Sequence, residues 1–510
     1  MATAKSPLRG FNSHQVVEMQ YDAPLPAPLQ KNVAFHPGFN PHENLKHVVS
    51  KYEKLGIEMD EMENVVPQFF QRAIVDHTAT KHAYWKQRYY LNKEYWGGDG
   101  FPVFLMVGGE SPIAPTDVSQ EMFYMNTLAI KHKALMVSLE HRYYGTSYPT
   151  KDMSVKNLKY LSIAQALKDV EIFHNFLTKE NKLQNSKWIA FGGSYPGNLA
   201  AWLKQAYPKL FIGSIASSAP IHLKPNFQEY MEIVGKGLFA YGGNECVNSV
   251  KSSMSALHTA VVAVINDPSD ETLSSTINLC GAIKSKQDAI AFEVNVMAQF
   301  QTIAQYNDYS PVKLGDLCDY MTKTAKNETP LTKVAGFLAM ISEGACIPST
   351  YRGSKDSIID SLKNTKFDGE SADRQWTYQR CTELGYTQTT TSNNSPFAPL
   401  EFVTFESVGI ELCKDVFGKE FAFPNVASVD KQLRGLDIQV NNVTFTNGYI
   451  DPWHPLGISK DSQIPPGSND LVIIKDGAHC RDMYAPQDND TSTIKQAHEK
   501  IGKNVALYLS

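Results

Sequence analysis

The sequence predicts an α/β protein: a mostly parallel sheet covered by helices on both faces, with a block of helices inserted into it. Three observations carry this. Between about 63 and 220, short apolar runs alternate with helix-period stretches, the pattern of buried parallel strands joined by crossover helices. From about 222 to 372 the strand-like runs give way to helix-rich sequence. Near the C-terminus the alternation returns with IQVNNVTFTNG (438–448), DLVIIKDGAH (470–479) and the helical TSTIKQAHEKIGKNVALYL (491–509). The expected organisation is an N-terminal extended arm over 1–62, a first core part over 63–221, a helical cap over 222–372 and a second core part over 373–510.

In chain order, YDAPLPAPLQ reads as extended because its prolines cannot continue a helix or a central strand. FPVFLMVGG (101–109) and ALMVSLEHR (134–142) read as buried strands, and Glu140, His141 and Arg142 at the second strand's end as a buried structural ion pair. LSIAQALKDVEIFHNFL (161–177) has helical spacing, and KWIAFGGS (187–194) and IGSIASSAP (212–220) are two further strands.

Composition excludes several classes. At 510 residues, 42% hydrophobic and 20% charged, the chain is neither disordered nor collagen-like nor a coiled coil. Its net charge of −5 and lack of a Lys/Arg-rich run argue against nucleic acid or an anionic membrane as partner. No apolar stretch reaches the length of a spanning helix. Seven cysteines, all after residue 245 and none in a C-x-x-C pair, speak against a zinc ribbon or thioredoxin-like site. Four N-x-S/T acceptors are present, at Asn327, Asn393, Asn442 and Asn489. The opening MATAKSPLRGFNSHQ shows no signal peptide, having no apolar core.

The chemically informative segment is KWIAFGGSYPGNLAAWLKQAYP (187–208), a strand running through Gly192-Gly193-Ser194 into an amphipathic helix. This is the context of a nucleophile elbow, in which a tight turn lifts a serine hydroxyl onto a helix N-terminus. The backbone N–H of Tyr195 is then a candidate oxyanion donor, and Gly109 in MVGGESP (106–112) is the candidate for the second. Pro196 stands where the motif has glycine, which the physics tolerates because a first-turn N–H is not needed. A hydrolase of this kind must order its residues serine, acid, histidine. FTNGYIDPWHP (445–455) supplies Asp451 after one strand and IIKDGAHC (473–480) supplies His479 after the next. In this reading His479 relays the Ser194 proton and Asp451 fixes the imidazole tautomer.

Five segments, EHRYYGTSYP (140–149), GGSYPGNLAAW (192–202), WTYQRCTELGYTQT (376–389), NGYIDPWHPLG (447–457) and GAHCRDMYAP (477–486), together resemble the serine peptidase family of lysosomal Pro-Xaa carboxypeptidase, dipeptidyl-peptidase II and thymus-specific serine protease. The resemblance implies an α/β-hydrolase core, a helical cap, the triad Ser194, Asp451 and His479, and cleavage after proline or a small residue. It also implies a lysosomal or secreted glycoprotein with disulfides Cys246–Cys318, Cys280–Cys346 and Cys381–Cys413, leaving Cys480 free. In W-x-Y-Q-x-C the dipeptidyl peptidases resemble one another in an aspartate at the first x. Here that position is Thr377, which disfavours an aminodipeptidase unless Glu110 or Glu383 supplies the charge.

Aromatic residues cluster around the matched segments, and Trp453 and Trp376 are the candidates for a slot that takes a flat, apolar proline ring; Glu110 and Thr377 complete the candidate substrate contacts. The leading expectation is a serine exopeptidase resembling a Pro-Xaa carboxypeptidase. A dipeptidyl peptidase, an esterase and a non-catalytic relative on the same fold are the alternatives. Acyl transfer by such a triad needs neither metal nor organic cofactor, and no H-E-x-x-H or dinucleotide fingerprint is present. The expected partners are short peptide substrates, with a homodimer left open.

Overall fold

The computed structural model describes residues 65–119, 122–354, 357–369 and 371–510. The arm expected over 1–62 lies outside them. Ten strands occur in chain order: β1 (Gln68–Ile74), β2 (Tyr84–Asn92), β3 (Val103–Val107), β4 (Leu135–Leu139), β5 (Trp188–Gly193), β6 (Phe211–Ser217), β7 (Lys224–Phe227), β8 (Gly385–Gln388), β9 (Val443–Gly448) and β10 (Asp470–Ile474). Eight form one sheet in the order β1-β2-β4-β3-β5-β6-β9-β10. β2 runs antiparallel to both β1 and β4, and every other neighbouring pair is parallel. This is the α/β-hydrolase fold.

Both faces of the sheet are covered, and single strands show it. Alternate residues of β3 pack into different cores: Val103, Leu105 and Val107 into one, Phe104 and Met106 into the other. The first core meets helices Ile163–Glu180 and Tyr195–Ala206, the second helices Tyr124–His132 and Ser492–Leu509. A strand buried on both sides must be apolar at every position, and VFLMV is buried throughout.

The chain leaves this sheet after β6 and re-enters it at β9, and β7 and β8 between them form a separate two-stranded sheet. These two strands pair in parallel, with Lys224 opposite Gly385. Between them lie helices Glu229–Asn266, Lys286–Gln305 and Pro330–Ile341. Ser285 and Thr329 start the second and third by accepting a hydrogen bond from a backbone N–H of the first turn. Disulfides Cys246–Cys318 and Cys280–Cys346 tie this helical segment together, and Cys381–Cys413 secures the return. Among the described residues no helix is long and apolar enough to cross a membrane.

The charged run after β4 is buried, but its ion pairs reach outside the run. Glu140 pairs with Arg88, and Arg142 bonds both oxygens of Asp169 at 2.6 Å. Such pairs hold strand ends in register, since losing one partner would strand a buried charge.

Candidate active site

Ser194 follows β5 directly, with φ 61° and ψ −132°. A non-glycine residue at positive φ is strained and held by its surroundings. Here the Ser194 N–H donates to Ser217 O at 2.9 Å and its carbonyl accepts from Asn198 N at 3.1 Å. Helix Tyr195–Ala206 begins at the next residue with Pro196 in its first turn, so the proline costs the helix no bond. The Tyr195 ring is buried, its hydroxyl accepting from Gln379 Nε2 at 2.9 Å and lying 3.1 Å from His141 Nε2.

The turn after β3 lies against that same first turn. A side chain on Gly109 would overlap the Pro196 ring, so only glycine lets the 108–110 backbone come this close. This places the two candidate oxyanion segments side by side.

Asp451 follows β9 and His479 follows β10, and because these strands are parallel neighbours their loops emerge at the same end as Ser194. Asp451 is fully buried. Its Oδ2 lies 2.9 Å from His479 Nδ1, and its Oδ1 accepts from Trp453 N at 2.9 Å. With Nδ1–H donated to a carboxylate, Nε2 is left as the acceptor. That atom is buried and carries no hydrogen bond among the described residues. Burial pulls the His479 pKa down, while the Asp451 charge and then Cys480 raise it, and the net direction is well above 6.5.

The loop that carries His479 is held by the neighbouring strands. Asp482, fully desolvated, accepts from Ser217 on β6 at 2.6 Å and from Thr446 on β9 at 2.7 Å. Cys480 N–H donates to Ser218 Oγ at 2.9 Å. Cys480 is the free cysteine, and its sulfur would lie 2.9 Å from a Cβ on Gly193, which puts the His479 loop in contact with the turn that carries Ser194.

A small pocket opens beside Ser194. Trp376, Tyr386, Trp453 and Pro220 give it apolar walls, and Glu110 and Gln305 are its polar members. Trp453 packs edge-on against Tyr386 at 5.3 Å and Tyr230 at 5.6 Å, which locks its ring. Glu110 is 3% exposed and its Oε2 has no hydrogen-bond partner among the described residues. Burial pushes its pKa up to about 7, against smaller lowering by its own backbone and by His479.

The structure departs from the expected site in three places. Thr377 is buried but does not line the pocket; on helix Asp373–Gln379 it is one residue, and so about 100°, away from Trp376. Glu383 is spoken for, because its Oε2 accepts from Ile163 N at 2.8 Å. Asn442 donates its side-chain nitrogen to Ile212 O at 3.0 Å, so the atom that would carry a glycan is engaged, whereas Asn327, Asn393 and Asn489 are exposed. Sequence reasoning missed Gln305, Tyr386 and Pro220. Gln305 lies on an element remote in sequence and no local motif marks it, whereas Tyr386 falls inside the segment 376–389.

The serine carboxypeptidase S28 family model matches residues 73–501. The chain is 30% identical over 434 residues to the thymus-specific serine protease of Homo sapiens, covering 83% of this chain and 82% of that protein. To the lysosomal Pro-X carboxypeptidase of Bos taurus it is 27% identical over 446 residues, covering 83% and 84%. Among solved structures it is similar to the Pyrococcus horikoshii acylaminoacyl peptidase at TM-score 0.30 and 10% identity, covering 89% of this chain and 42% of that one. With most of its length matched by one family model, this chain belongs to the serine carboxypeptidase S28 family of serine peptidases.

Proposed function

We propose that the protein is a serine exopeptidase that cleaves short peptides after proline through an acyl-enzyme. The aromatic slot beside Ser194, walled by Trp376, Tyr386 and Trp453, carries this reading. It offers a flat, apolar surface to a ring that has no N–H to satisfy.

In the proposed cycle Ser194 Oγ attacks the prolyl carbonyl carbon while His479 Nε2 takes its proton. The N–H groups of Tyr195 and Gly109 hold the oxyanion that forms. The tetrahedral species collapses, the carbon–nitrogen bond breaks, and His479 returns the proton to the leaving amine. Water repeats the sequence on the ester. Asp451 holds the tautomer that leaves Nε2 free and stabilises the imidazolium that forms in the cycle.

The Pro-X carboxypeptidase relatives supply the first orientation of substrate: the prolyl residue in the slot and one C-terminal residue leaving. Glu110, a wall of the slot with one oxygen that has no hydrogen-bond partner among the described residues, favours a second, in which a free amino end enters and a dipeptide is released. A buried carboxylate facing an ammonium is a charge-assisted pair that an internal peptide segment cannot make.

Two peptides separate the readings, with wild type and Ser194→Ala compared by product mass. One is blocked at its N-terminus with proline before its last residue; the other is free at its N-terminus with proline second. Loss of the last residue from the first peptide supports the carboxypeptidase, and release of a dipeptide from the second supports the aminodipeptidase. No Ser194-dependent cleavage of either refutes the proposal.

A further inference from the structure

The two loops that carry the acid and the base are held together by a third segment, and that segment belongs to the inserted helices. Helix Lys286–Gln305 ends where the pocket begins. The backbone carbonyl of Gln305 accepts from His479 N at 3.0 Å. Its side-chain Oε1 accepts from Trp453 Nε1 at 2.9 Å, two residues past Asp451, and from Tyr230 Oη at 2.7 Å. Its Nε2 donates to Tyr306 Oη at 2.8 Å, and the Tyr306 ring stands edge-on to the His479 ring at 6.4 Å. Three residues on, Asp308 Oδ2 accepts from Ala478 N at 2.8 Å.

Gln305 is 1% exposed, and every polar atom of its side chain is used within this network. A buried amide with both ends satisfied is rigid, because any rotation of the group breaks bonds that water cannot replace. The loops it grips come from adjacent parallel strands, and among the described residues the bonds between them are Asp451 to His479, Ile450 N to Gly477 O at 3.3 Å and, where the loops begin, Tyr449 N to Ile474 O at 2.8 Å.

From this geometry we infer that Gln305 and Asp308 are positioning residues for the triad: the inserted segment sets the His479 imidazole against Asp451 and aims Nε2 at Ser194, besides walling the pocket. The inference rests on the triad reading above. It makes the inserted helices part of the catalytic alignment, so that a movement of helix Lys286–Gln305 is felt as a change in turnover as well as in access.

The test compares full-length wild type with Gln305→Leu, Asp308→Ala and Asp308→Asn. Leucine keeps most of the glutamine's volume and removes its donor and acceptor; asparagine keeps an oxygen for the Ala478 N–H. Three quantities are read: the second-order rate of Ser194 labelling by a small fluorophosphonate, kcat and KM on the cleaved peptide, and the melting temperature. The fluorophosphonate needs an activated serine but fills little of the pocket, so it separates alignment from substrate contact.

For Gln305→Leu and Asp308→Ala, labelling rate and kcat should fall together, roughly 10- to 100-fold, as misplacement of catalytic groups by about an ångström does. KM should change little, and Asp308→Asn should restore most of the rate. Unchanged labelling with a raised KM would overturn the inference by reducing Gln305 to a wall. So would an Asp308→Asn variant as slow as Asp308→Ala, or rate losses that merely track the unfolded fraction. Wild type that is not labelled at Ser194, or Ser194→Ala that still turns over, would overturn the triad reading itself, and that result is separate from any behaviour of the clamp variants.

Discussion

Asp451→Asn isolates one hydrogen bond and leaves the fold around it in place. In wild type, Oδ1 accepts from Trp453 N and Oδ2 from His479 Nδ1, both at 2.9 Å. Asparagine can keep its oxygen on the Trp453 N–H, which forces its NH₂ towards Nδ1. The imidazole then accepts at Nδ1 and carries its proton on Nε2, so the atom that should take the Ser194 proton is already occupied. Recovering the productive tautomer means giving up a charge-assisted bond worth about 1.5–3 kcal/mol and facing two donors at each other in a dry site. Together with the lost stabilisation of the imidazolium, the total should approach the roughly 10⁴-fold loss, about 5.4 kcal/mol, of the same change in a serine protease triad. The assay is kcat and KM on the cleaved peptide with a thermal melt alongside. Because Asp451 does not line the pocket, KM should move little and the loss should fall on kcat. The pH profile gives a second reading. The Asp451 charge raises the His479 pKa against burial, so its removal should shift the acidic limb to lower pH. A kcat loss of less than about tenfold would refute the reasoning and make Asp451 a residue that only braces its loop.

Glu110→Gln should raise KM for a peptide with a free amino end by roughly 10-fold or more, the loss of one charge-assisted contact, and leave a blocked peptide unaffected; equal effects on both would refute amino-end recognition. Burial holds the Glu110 pKa up near about 7, so its anionic form grows as pH rises through that value, and KM for the free-amino peptide should fall over the same interval. Replacing Cys246 and Cys318 by serine opens a loop of 72 residues, which by chain entropy costs about 4 kcal/mol, read as a lower denaturant midpoint under non-reducing conditions. In a secretory expression host, glycopeptide mass spectrometry should find sugar among the exposed Asn327, Asn393 and Asn489 and none at Asn442, whose amide nitrogen is bonded to Ile212 O.

The parts of this protein legible in its sequence are those encoded by short stretches of chain. A five-residue apolar run such as VFLMV specifies a strand buried on both faces. A strand ending in Gly-Gly-Ser before an amphipathic helix specifies a sharp turn with an exposed N-terminus. The order of Ser194, Asp451 and His479 was readable too, because each follows its own strand and parallel strands deliver their carboxyl ends to one side. The disulfide partners lie 32 to 72 residues apart and came from resemblance, since spacing alone does not choose among pairings.

What only the tertiary structure decided is which polar groups are left without a partner. Glu110 follows the Gly108-Gly109 turn and Glu383 falls inside the segment 376–389, yet the first lines the pocket with an oxygen that has no partner among the described residues, and the second accepts from the Ile163 N–H. Thr377 and Trp376 are adjacent in sequence, yet only Trp376 reaches the slot. Gln305 joins the acid and base loops from nearly 150 residues away, with nothing in its own neighbourhood to announce it. Periodicity and turn chemistry act over a few residues and are written locally. Burial, and the hydrogen bonds it makes compulsory, depend on which distant segments the fold brings together.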